Sequence, residues 1–139
     1  MSSRAEALLE DLSQAIGIKE LAFDEQRMCS FIIDEQFRVT LLASGEESLL
    51  IYGILGHYPE PEPENFALEL LTANLLFSEV NGPYVSYEPI SRTLLLAINL
   101  PLDELDVEAL EAQIEYMVQN LEHMIKTLAE RNITLTLSA

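Results

Sequence analysis

Residues 59 to 78 read Pro-Glu-Pro-Glu-Pro-Glu-Asn-Phe-Ala-Leu-Glu-Leu-Leu-Thr-Ala-Asn-Leu-Leu-Phe-Ser, and both halves of this stretch constrain the fold. Prolines at 59, 61 and 63 each remove a ladder donor and fix φ, so the first half continues no strand and reads as a stiff, exposed connector. The second half predicts a helix over about 65 to 78, in which only Glu69, Thr72 and Asn74 interrupt the apolar residues before Ser78. A helix that is apolar almost all round must be covered on both sides, and a small domain has one sheet face to offer. The other side therefore calls for a second subunit.

Working outward toward the N-terminus, the segments from 21 to 56 change period. β-Branched and aromatic residues fall in short runs separated by Asp34-Glu35-Gln36 and Ser44-Gly45-Glu46-Glu47. Three antiparallel strands are predicted near 27 to 34, 37 to 43 and 48 to 57. Before them, Leu8, Leu9, Leu12, Ala15 and Ile16 recur at helical spacing, Ser3-Arg4-Ala5-Glu6 has the capping-box pattern, and Gly17 supplies a left-handed stop.

Toward the C-terminus, Asn81-Gly82-Pro83 is a turn, and two further strands follow near 84 to 88 and 93 to 100. A last helix begins between Asp103 and Asp106 and runs to about Arg131, with Leu110, Ile114, Met117, Leu121, Met124 and Leu128 on one stripe. That stripe spans too few heptads for a coiled coil and is expected to pack on the sheet. The order α-β-β-β-α-β-β-α has no regular βα alternation, so the fold class is α+β with a mainly antiparallel sheet in one domain, residues 1 to 139.

Composition bounds the partners. The chain is 49% hydrophobic yet carries a formal net charge of −17, so its acidity belongs to a folded surface. Such a field repels phosphate backbones and anionic headgroups, which argues against nucleic acid and membrane partners. With one cysteine, Cys29, no intrachain disulfide forms, and the N-terminus lacks the order of a signal peptide, so a reducing, cytosolic setting is expected.

Nothing in the sequence supports catalysis, a cofactor or a metal. His57 and His123 have no Cys or second His at ligand spacing and read as ordinary surface or interface residues. Cys29 lies beside Met28 and near Phe31, as a small apolar filler does. The pairs Asp34-Glu35 and Glu46-Glu47 fall in turns, where water keeps both carboxylates ionised. Phosphate-binding loops, nucleophile elbows and zinc-protease motifs are missing from the sequence.

Residues spread over nearly the whole chain carry a family resemblance: Ala15-Ile16-Gly17-Ile18, Cys29-Ser30-Phe31, Ile33-Asp34-Glu35, Ile51-Tyr52-Gly53, Asn65-Phe66-Ala67-Leu68-Glu69, Gly82-Pro83-Tyr84, Leu100-Pro101-Leu102-Asp103 and Asn132-Ile133-Thr134-Leu135. In these the chain resembles class I type III secretion chaperones of the Tir chaperone (CesT-like) family. The resemblance implies a homodimer in the bacterial cytoplasm that binds N-terminal segments of one or more secreted effectors. It also implies that the effectors are kept soluble and export-competent and are delivered to the secretion ATPase, with no enzymatic activity and no cofactor. It places the twofold interface on the second helix and a nearby strand, here Leu68, Leu71, Asn74, Leu75, Leu96 and Ile98. It places the client on the first helix and the sheet, here Leu9, Met28, Phe31, Ile33, Phe37 and Val39. Because one fold supports several functions, an adaptor or regulator that binds a folded component of the secretion apparatus remains the alternative.

Overall fold

The computed structural model describes residues 4 to 18 and 21 to 136. The elements are α1 (Arg4–Ile16), β1 (Met28–Ile33), β2 (Phe37–Ser44), β3 (Ser48–His57), α2 (Phe66–Glu79), β4 (Tyr84–Glu88), β5 (Thr93–Pro101) and α3 (Val107–Glu130). The predicted element order is therefore the observed one, with boundaries moved by a residue or two. The capping box on Ser3 lies outside the described residues, whereas Gly17 does take a left-handed conformation, with φ of 72°.

The strands form one antiparallel sheet in the order β1-β2-β3-β5-β4. Asp34 and Glu35 both adopt positive φ, 54° and 61°, which turns β1 into β2 with the right-handed twist that paired strands need. Parity along the strands then decides everything downstream. Cys29, Phe31, Phe37, Val39, Leu41, Leu49, Ile51, Leu94 and Leu96 share one face and are buried.

That face is covered by α3, whose Leu110, Ile114, Met117, Leu121, Met124 and Leu128 are all buried. Gly53 makes the approach possible, because a Cβ there would stand 2.8 Å from both Leu121 Cδ1 and Met117 Sδ. The predicted stripe is thus a core face and no coiled coil. α1 packs on α3 through Leu8, Leu9 and Leu12. Arg4 ties its start to the segment before α3, donating to the carbonyls of Leu102 and Leu105 at 2.6 and 3.0 Å.

Candidate functional site

Among the described residues no helix lies on the opposite face of the sheet. Its central row runs Ser30, Thr40, Tyr52, Ala97 and Tyr84 across all five strands. The small side chains of that row make a low floor, with the Ser30 and Thr40 hydroxyls hydrogen-bonded at 2.8 Å. Larger residues stand on either side: Met28 and Leu50 along one bank, Arg38, Ile54 and Leu95 along the other. The result is a groove of about 690 Å³ in which Arg38 and Glu88 are the only charged residues of the lining. In a chain with a net charge of −17, this is a nearly neutral strip.

The second exposed surface belongs to α2. Phe66, Leu70 and Phe77 bury one side of it. Leu68, Leu71, Leu75 and Leu76 on its other sides are 60 to 64% exposed, and Val80, Tyr84 and Tyr87 are exposed as well. Asn74 fixes α2 to the edge of the sheet: its Oδ1 accepts from the Val85 N–H at 2.6 Å and its Nδ2 donates to the Val85 carbonyl at 3.3 Å. One side-chain amide thus takes the place of a neighbouring strand along the free edge of β4.

Around the proline connector, Tyr58 sets its ring edge-on against Phe66 and Tyr87 and donates to Glu62 at 2.7 Å. Burial, and then the Glu62 carboxylate, push its phenol up to about 12. Arg92 pairs with Glu60 and so clamps the connector to the β4–β5 hairpin. In that hairpin the Ser91 hydroxyl and amide and the Ile90 amide donate to Glu88, which holds its carboxyl below the usual range. Burial raises the Cys29 thiol above its ordinary value, so it stays protonated and packs as an apolar residue. Among the described residues no group of three or more His, Cys, Asp or Glu is placed to hold a metal ion, and no helix is long and apolar enough to cross a membrane.

Comparison with known proteins assigns the family. The profile of the Tir chaperone protein (CesT) family matches residues 7–124. The Tir chaperone of Citrobacter freundii is 46% identical over 135 residues, 97% of this chain and 86% of that protein. The chain belongs to the Tir chaperone family. As a member it is a type III secretion chaperone, a non-enzymatic binding protein. Its fold agrees with solved relatives: a chain of the HopA1–SchA chaperone–effector complex superposes with a TM-score of 0.75 at 25% identity, over 86% of this chain and 91% of that one. A chain of the ExsC–ExsE complex gives 0.76 at 24% identity, over 86% and 90%, and bears on the fold alone.

In this Tir-chaperone-family fold the expected site residues divide sharply. Of the expected interface, Leu68, Leu71 and Leu75 are exposed together on α2. Asn74 beside them is half-buried and spends its amide on Val85 of the same chain. Leu96 is fully buried and Ile98 is packed against the core, because even-numbered positions of β5 face the helices; neither lies on a free surface. The exposed large residues of β4 are Tyr84 and Tyr87.

Of the expected client residues, Leu9, Phe31, Phe37 and Val39 are core residues, and Ile33 is partly buried against the same core. Phe31, Ile33, Phe37 and Val39 have the parity that α3 covers, so these expected client positions are corrected: they lie on the closed face. Only Met28 lies on the open groove. The groove residues that the sequence reading missed include Arg38, Thr40, Leu50, Tyr52, Ile54, Leu95 and Ala97.

Proposed function

We propose that the chain, as one domain over residues 1 to 139, works as a homodimer in the bacterial cytosol and receives an extended N-terminal segment of an effector across the open face of its sheet. The uncovered groove carries this reading. Its floor of Ser, Thr and Ala side chains lets a foreign backbone come close, while Leu50, Ile54 and Leu95 offer apolar contacts to alternate client side chains. A client held in this way keeps its apolar segments apart and stays unfolded, and the acidic surface keeps the complex in solution. The client class follows the relatives, which are chaperones of Tir. Release to the secretion ATPase completes the cycle. Two copies meeting through Leu68, Leu71 and Leu75 would give the exposed side of α2 the cover that its composition demands.

Coexpression with the N-terminal segment of Tir tests the client surface. We expect copurification, protection of an extended stretch of Tir from protease, and at least about tenfold weaker binding for the double variant Tyr52→Asp, Leu95→Asp. Retention of Tir undiminished by that variant would move the client elsewhere. Protection of a folded partner in place of an extended segment would favour an adaptor.

A further inference from the structure

β2 leaves β3 before β3 ends. Their last pair is Val39 with Gly53, whereas β3 continues to His57, through a bulge between Ile54 and Gly56. The edge vacated by β2 is taken by the chain's own C-terminal segment, residues 133 to 136. The His57 N–H donates to the Thr136 carbonyl at 2.7 Å, and Ile133 and Leu135 pack against the core. Gly56 lets the segment in: at φ of 140° it carries no Cβ, and one placed there would stand 2.8 Å from both Leu135 Cβ and the Thr136 carbonyl oxygen.

Two features distinguish this segment from the strands proper. It is flanked by two solvent-open concavities, one of about 210 Å³ lined by Gln36, Phe37, Leu55 and Leu135, and another of about 520 Å³ lined by His57, Arg92, Thr134 and Thr136. Ile133 and Leu135 are only partly buried and Thr134 and Thr136 are exposed, so the segment leaves its seat at lower cost than a core strand does. Its seat adjoins the open groove along β3, because Ile54 lines the groove and Gly56, two residues further on, meets the segment. Ile133, Thr134, Leu135 and Thr136 alternate apolar with polar, the pattern of a peptide that adds to a sheet edge.

We infer that residues 133 to 136 are a displaceable strap, holding in cis the stretch of β3 edge that an extended client pairs with when it binds. This rests on the groove being the client surface. The strap lowers the apparent affinity for any client by the fraction of time that it occupies the edge. A strap seated nine-tenths of the time imposes about a tenfold reduction.

The test uses the chain ended after Asn132, a labelled peptide of residues 132 to 139, and the N-terminal Tir segment as client probe. The peptide should bind the shortened chain and be released by Tir, and Tir should bind the shortened chain about tenfold more tightly than the full one. If Tir binds the shortened chain without gain and without releasing the peptide, the strap proposal falls and the groove reading stands. If Tir binds at both lengths but ignores Tyr52→Asp, Leu95→Asp, the groove reading falls and takes the strap with it. Should the shortened chain fail to fold, Leu135→Ser in the full chain serves instead. It should raise Tir affinity several-fold and speed amide exchange at His57, and unchanged affinity with faster exchange would overturn the proposal.

Discussion

α2 and α3 are both rich in leucine, yet they stand in opposite relations to the rest of the chain. α3 turns its stripe onto the sheet and keeps Glu108, Glu111, Glu115 and Glu122 toward water. α2 buries Phe66, Leu70 and Phe77 in the core, sets Ala73 partly against it, and leaves four leucines in the open. The difference teaches that α3 is specified by its own chain and α2 by its own chain plus something else. Helical periodicity reports the first case directly, since one apolar face meets one surface. Apolarity without periodicity reports the second.

The comparison is broken most severely at Leu121, which is fully buried and faces Gly53. Leu121→Ala should cost about 2 to 5 kcal/mol of stability, since α3 is held by the sheet and collapses only partly into the cavity. Urea denaturation followed by circular dichroism measures it; a loss below 1 kcal/mol would mean that α3 is not anchored there. The matching change on α2 has a different readout. Leu71→Asp should leave the chain folded and halve the sedimenting mass, because the side chain is exposed within one protomer and meets the partner only in the proposed dimer. An unchanged dimer would take α2 out of the interface.

A third variant tests how α2 is held to the sheet. Asn74→Ala strips both partners from the Val85 backbone, and two part-buried polar groups left unpaired should cost about 1 to 3 kcal/mol. Amide exchange at Val85 should accelerate with it. Unchanged exchange there would show that other contacts hold the β4 edge.

Much of this arrangement was legible in the sequence, and its limits have physical causes. Seven of the eight elements follow from a period near 3.6 or near 2, while α2 and its exposure follow from an apolar run with no polar side. Alternation along the strands does not by itself say which face is free, and the family resemblance places the client on Phe37 and Val39, the more apolar parity. The more apolar parity is the one that a helix covers. Gly53 carried the missing signal: a glycine in mid-strand marks the close approach of another element, so its parity, shared with Leu49 and Ile51, is the covered one. No comparable signal announced that the amide of Asn74 would cap Val85, since that contact between residues 11 apart depends on where α2 and β4 come to rest.

The smallest predicted effect separates the helices at their starts. Asp106 caps α3, its Oδ1 accepting from the Ala109 N–H at 2.7 Å, whereas Asn65 precedes α2 in a left-handed conformation with no side-chain cap. Asp106→Ala should therefore cost about 1 kcal/mol, and Asn65→Ala should act only through the strain of an alanine at φ of 60°. Asn65→Gly removes the side chain without that strain. It should leave stability unchanged or slightly raised by thermal denaturation, while Asp106→Gly loses a few tenths of a kcal/mol. A loss at Asn65→Gly as large as that at Asp106→Ala would give α2 an anchored start of its own. Its position would then be set within the protomer from both ends, and the contrast with α3 would narrow to the exposed leucines alone.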